Sequence, residues 1–180
     1  MLTNIELKAY CKNKEKIRKI LLSIGAKSNG NYQQTDTYFH SKSGILMFRE
    51  ENNENNLIHY IREDKKGAKE SKVNIYPTTL NSTLKEILEK TVGKACVVVK
   101  TRENYFLDNV IFHIDTVDGL GDFVEVKAMD SANCISIEKL HKQCNQYIKE
   151  LEINAKDLIS ESYSDLLQRN NLFSQILVDE

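Results

Sequence analysis

The chain has 180 residues, of which 41% are hydrophobic and 28% charged, with a formal net charge of -1. That length suits one domain able to bury a core without disulfides or metals, and the composition excludes a disordered chain. Lys+Arg 25 against Asp+Glu 26 argues against a nucleic-acid binder with a basic surface, but leaves room for a local basic pocket.

The chain opens on alternating apolar and polar residues over Asn4–Tyr10, which predicts a strand. A helix is expected over Lys14–Ile24, with Ile17, Ile20, Leu21 and Ile24 at helical spacing and Gly25 as its stop. Strands follow near Gln33–His40, Ile45–Glu51, Leu57–Asp64 and Ser71–Tyr76, with polar turns over Glu51–Asn56 and Asp64–Lys69. A second helix is predicted over Leu80–Thr91. Three longer strands come next, Ala95–Tyr105, Asn109–Val117 and Asp122–Met129, and their short links suit an antiparallel meander. A helix from Ile135 to Leu151 carries Ile137, Leu140, Cys144, Tyr147, Ile148 and Leu151 on one stripe. A short helix over Ala155–Leu167 completes a single domain spanning residues 1–168, with 169–180 as a C-terminal tail. With Pro 1 and Gly 7, there is little material for linkers.

Cys11, Cys96, Cys134 and Cys144 show no C-x-x-C pairing, so reduced thiols are expected rather than a zinc cluster. The first residues lack a basic or apolar leader, and no run approaches the ~18 apolar residues of a membrane-spanning helix. A cytoplasmic protein with no membrane partner is the expectation.

Side chains at i and i+2 of a strand share a face. Charges recur at that spacing: Glu6 and Lys8, Arg62 and Asp64, Lys100 and Arg102, His113 and Asp115, Glu125 and Lys127. The opposite faces read Ile5, Leu7 and Ala9; Val97 and Val99; Phe112 and Ile114; Val124, Val126 and Ala128. Such strands fit an open sheet with one wet face, or a closed barrel of about eight strands with its charged face inside. The apolar helix stripes favour the barrel, because they can cover its outside. Enclosing Lys8, Arg49, Arg62, Lys100 and Arg102 together then suits a polyanion such as a triphosphate. Carboxylates in the same cavity are useful if they hold a divalent metal that bridges to phosphate.

The blocks Asn4–Ala9, Gln34–Phe39, Gly44–Glu50, Tyr60–Asp64 with Gly67–Ser71, Val99–Tyr105, His113–Asp115 with Val117–Glu125, and Asp157–Leu167 resemble, in this order, motifs of the CYTH superfamily. Its members include class IV adenylyl cyclases and thiamine triphosphatases. The resemblance implies an α+β fold, an eight-stranded antiparallel barrel or tunnel with helices packed outside. It implies a triphosphate such as ATP or thiamine triphosphate as ligand, with Mg²⁺ or Mn²⁺. Carried over residue by residue, Lys8, Arg49, Arg62, Lys69, Lys100 and Arg102 would bind phosphate. Glu6, Asp115 and Glu125 would hold metal, and Lys8, Arg62 and Asp115 would be catalytic.

The leading reading is a class IV-type adenylyl cyclase that converts ATP to cyclic AMP and pyrophosphate. A triphosphate hydrolase and a non-catalytic nucleotide or polyphosphate binder are the alternatives, and a homodimer is open. Three positions depart from the family pattern. Asn4 stands for the first glutamate of E-x-E-x-K, Met47 for a common lysine, and Lys127 for the second glutamate of an E-x-E strand. Lys127 is expected to weaken metal affinity or to add a phosphate donor. His113 is expected to be a hydrogen-bonded barrel residue, Gly119 and Gly121 turn glycines, and Tyr38, Tyr60 and Tyr105 packing residues.

Overall fold

The alternation of Ile5, Leu7 and Ala9 with Asn4, Glu6 and Lys8 makes β1 (Leu2–Tyr10) the strand on which a ring of strands closes. The structure is a computed structural model that describes residues 2–130 and 134–176. After β1 come α1 (Lys14–Ser23), β2 (Lys27–Phe39), β3 (Ile45–Glu50), β4 (Asn55–Arg62), β5 (Lys69–Thr78) and α2 (Leu84–Thr91). Then follow β6 (Lys94–Leu107), β7 (Val110–Val117), β8 (Gly121–Met129), α3 (Ile137–Glu150), a 3-10 turn (Ala155–Asp157), β9 (Leu158–Ile159) and α4 (Tyr163–Ile176). The hydrogen-bonded order is β5-β4-β3-β2-β6-β7-β8-β1-β9, and β1 also pairs with β5. Eight strands thus form a closed antiparallel ring, the expected α+β barrel, rather than an open sheet.

Helices cover the apolar outer face of β1, β7 and β8. Ile5, Leu7, Phe112, Ile114, Val124 and Val126 are buried there against Ile17 and Leu21 of α1 and Leu140 and Cys144 of α3. Each fully buried side chain of this kind contributes roughly 1.5–3 kcal/mol. Asn13 and Ser136 cap the two helices by accepting from Lys16 N and Lys139 N. The cover reaches Tyr105 near the end of β6 but stops short of Val97 and Val99, which remain exposed. A second apolar cluster brings α4 onto the barrel, with Tyr163 and Leu166 packed among Val98, Val117, Phe123 and Ile159.

Several boundaries differ from expectation for local reasons. β2 begins at Lys27, because this polar stretch, which lacks an alternation to betray it, pairs with β6 from Lys27↔Phe106 onward. Asn55 and Asn56, expected in a turn, are buried in β4 opposite Thr78 and Pro77. The helix expected over 155–167 starts only at Tyr163. Leu158 and Ile159 instead pair with Lys8 and Ala9, taking over the edge of β1 that β5 leaves at Glu6↔Lys69. α4 then continues to Ile176, and residues 177–180 of the expected tail lie outside the described residues. Gly44 must be glycine: its φ is +67, and a Cβ would stand 2.6 Å from Tyr60 O. No helix among the described residues is long and apolar enough to cross a membrane.

Candidate functional site: a charged barrel interior

Residues at alternate positions of all eight ring strands surround a cavity of about 470 Å³, and Tyr163 of α4 joins its lining. The lining has two characters. On β3, β4 and β5 it is largely apolar: Met47 lies opposite Ile58, Ile58 opposite Ile75, and Tyr60 opposite Val73. On β1, β2, β6 and β8 it is ionic.

The ionic residues form three linked groups. In the first, Asp36 of β2 takes both a bidentate contact from Arg49 at 2.7 and 2.8 Å and the ammonium of Lys100. Burial alone would raise the Asp36 carboxyl, but Arg49 and Lys100 hold it far below the usual carboxylate range. Burial, with Arg49 and Arg102 nearby, brings Lys100 down to about 7 despite Asp36. In the second group, Arg102 of β6 donates to both oxygens of Asp115 at 2.7 and 2.6 Å and to Glu125 at 3.0 Å. Tyr163 adds a 2.7 Å hydrogen bond to Asp115. Against the effect of burial, Arg102 keeps the Asp115 carboxyl at about 2. In the third, Glu6 of β1 stands 3.4 Å from Arg62 and 3.8 Å from Lys127.

Lys8 lies with its Nζ 3.6 Å from the Tyr163 ring centroid, and burial lowers its pKa. His113 is buried and shares a 2.7 Å hydrogen bond with Asn104; burial first, then Arg102, keeps its ring neutral. Lys69 does not border the cavity. Its ammonium donates to the backbone carbonyls of Lys65 at 3.3 Å and Ser160 at 2.7 Å, and burial lowers its pKa to about 8. Asp64 is exposed beyond the end of β4, so only Arg62 of that pair faces inward.

Lys8, Arg49, Arg62, Lys100 and Arg102, five of the six expected phosphate-binding cations, therefore meet in one cavity with Glu6, Glu125 and Lys127. The sequence reading missed Asp36 and Tyr163. Asp36 was findable, because Gln34, Asp36 and Tyr38 follow the same i, i+2 alternation as the other lining residues. Tyr163 was not, because its place depends on how α4 docks. Tyr38 and Tyr60 line the cavity, whereas Tyr105 packs outside, in the cluster under α1 and α3.

The residues present do not fit a metal centre made of Glu6, Asp115 and Glu125. Arg102 and Tyr163 occupy both Asp115 oxygens, and Asp115 does not border the cavity. Among the described residues no three His, Cys, Asp or Glu side chains are grouped to hold a metal ion.

Five buried polar atoms have no hydrogen-bond partner among the described residues, and three of them sit together. They are Nε and Nη2 of Arg62 and the hydroxyl of Ser71, its neighbour across β4 and β5. The Arg62 side chain is only 4% exposed. A buried guanidinium with vacant donors is costly unless an anion meets it.

A CYTH domain family model matches residues 2–163, and the chain belongs to the CYTH family. No curated protein matches the sequence. Among solved structures, a protein of Pyrococcus horikoshii OT3 superposes with a TM-score of 0.80 at 24% identity, covering 91% of this chain and 98% of that one. A proposed adenylate cyclase of Vibrio parahaemolyticus gives 0.74 at 17% identity, covering 92% and 97%. A proposed adenylyl cyclase from Hippeastrum, for which a dominant triphosphatase activity is described, gives 0.63 at 11% identity, covering 94% and 96%. At these identities the likeness is one of fold.

Proposed function

We propose that the protein binds a small organic triphosphate inside its barrel and converts it, with ATP cyclisation to cyclic AMP and pyrophosphate as the leading reaction. The observation that carries this reading is the buried, partnerless pair of Arg62 donors and the Ser71 hydroxyl in a cavity rich in cations. Phosphate oxygens complete those donors, and Lys8, Arg49, Lys100 and Arg102 supply the surrounding positive field. The apolar wall of Met47, Ile58, Tyr60 and Val73 suits a base and ribose better than a purely inorganic chain.

In cyclisation the ribose 3′-oxygen bonds to the α-phosphorus, its proton is released, and the bond to the pyrophosphate oxygen breaks. Positioning and charge neutralisation dominate such a displacement. Lys8 and Arg62 act on the phosphates directly in this reading. Asp115 is a positioning residue that orients Arg102 and Tyr163.

Incubating the purified chain with ATP, thiamine triphosphate and tripolyphosphate, with product analysis, tests the proposal. Cyclic AMP with pyrophosphate is the expected result. Orthophosphate release would replace cyclisation by hydrolysis, saturable binding without turnover would make the chain a binder, and failure to bind any triphosphate would overturn the reading.

A further inference from the structure

The tunnel cations are unequally committed. Arg49, Arg102 and Lys100 are each fastened to a buried carboxylate. Lys127 is held only loosely: its nearest carboxylate oxygen, on Glu6, lies 3.8 Å away, and its side chain is 21% exposed within the cavity lining. Its strand position places it beside both of the expected metal-ligating carboxylates that border the cavity, Glu6 and Glu125. Lys127 is in register with Glu6 of β1, and Glu125 lies two residues along the same face of β8.

A dication bound between Glu6 and Glu125 would have to sit beside this ammonium, and like charges at such range in a partly desolvated cavity repel strongly. The same ammonium offsets the charge of Glu6, as Arg102 does that of Glu125, and has N–H donors left for a ligand. Arg62, with its vacant donors, flanks Glu6 from the other side. Glu6 is thus bracketed by two cations, each with donors left for a new anionic partner.

We infer that Lys127 does the work a divalent cation would do here: it offsets the charge of Glu6, beside Glu125, and contacts the phosphate chain, so that the protein binds triphosphates without a metal. This rests on the reading of the barrel as a triphosphate site. The site then recognises a metal-free polyphosphate tail rather than its Mg²⁺ complex.

Titration calorimetry of the full chain with tripolyphosphate, in EDTA and in Mg²⁺, tests this. Wild type should bind in EDTA at least as tightly as in Mg²⁺. Lys127→Gln should lose about tenfold or more of the EDTA affinity, as expected for one charge-assisted contact. Lys127→Arg should retain it, and Lys127→Glu should bind only when Mg²⁺ is added. Thermal melts of all the variants separate loss of binding from loss of fold. Wild-type binding that requires Mg²⁺, or Lys127→Gln binding unchanged in EDTA, would overturn the inference while leaving the triphosphate site standing. No binding in either condition would remove the site itself.

Discussion

The hydroxyl of Tyr163 donates a 2.7 Å hydrogen bond to Asp115, while the Tyr163 ring lies under the ammonium of Lys8. One side chain thereby ties α4 to two strands of the barrel interior. Tyr163→Phe keeps the ring and removes the hydrogen bond to a charged carboxylate, and should cost about 1.5–3 kcal/mol. Tyr163→Ala also removes the ring from its apolar cluster and should cost about 3–5 kcal/mol. Urea denaturation of both variants measures the difference, and equal losses would mean that the ring contributes nothing.

Asp36 holds two buried cations at once, so its removal strands both. Asp36→Ala should destabilise the protein by about 3–5 kcal/mol, the usual cost of breaking a buried ion pair from one side. Because Arg49 and Lys100 are then unpaired, tripolyphosphate should raise the melting temperature of the variant more than that of wild type. Thermal melts with and without the anion report both effects.

Arg62 presents the opposite case. Its guanidinium is buried with two vacant donors and a single 3.4 Å contact to Glu6, which Lys127 also faces, so Arg62→Met should cost less stability than Asp36→Ala while triphosphate affinity falls by about tenfold or more. Denaturation and calorimetry on the same sample check the pair of outcomes. Loss of stability with affinity retained would show that Arg62 is structural.

Acid should unfold the barrel through its paired carboxylates. Asp115 titrates at about 2 when folded against an ordinary 3.8, and Asp36 is displaced in the same direction. A depressed carboxyl contributes stability that is complete above its ordinary value and is lost as pH falls through the folded one. For Asp115 that contribution is on the order of 2 kcal/mol. Stability measured from pH 5 to pH 2 should fall steeply, and the fall should be shallower in Asp115→Asn.

Lys100 gives a signature on the alkaline side. Its folded pKa of about 7 lies below the ordinary 10.5, so the unfolded chain holds more protons between those values. Stability from this group therefore rises with pH across that window. A bound triphosphate favours the charged ammonium, so binding at pH 8 should take up protons. Calorimetry in buffers of different ionisation enthalpy detects the uptake, and Lys100→Arg, which keeps its proton, should reduce it.

The cations of the cavity were legible because a strand writes its faces into the sequence at a period of two. Arg62, Lys100 and Arg102 could be placed inward from alternation alone once the ring was closed. Lys69 fits the same pattern and the same family motif, yet it serves the backbone of Lys65 and Ser160, because strand periodicity sets a direction and not a partner. Asp115 shows the same limit. Its position among the charged residues was readable, but its engagement by Arg102 and Tyr163 depends on β6 and on α4 arriving from far along the chain.

The sequence by itself determined the strands, their two faces, the helices that cover them and the family to which the chain belongs. Those properties follow from local periodicity and ordered motifs, which need no knowledge of distant contacts. The tertiary structure decided that β1 meets β5 to close the ring, that β9 and α4 fold back onto it, and which carboxylate each cation faces. Charge pairing in a closed barrel is set by distances across its interior, and residues a hundred positions apart become neighbours only when the ring is shut.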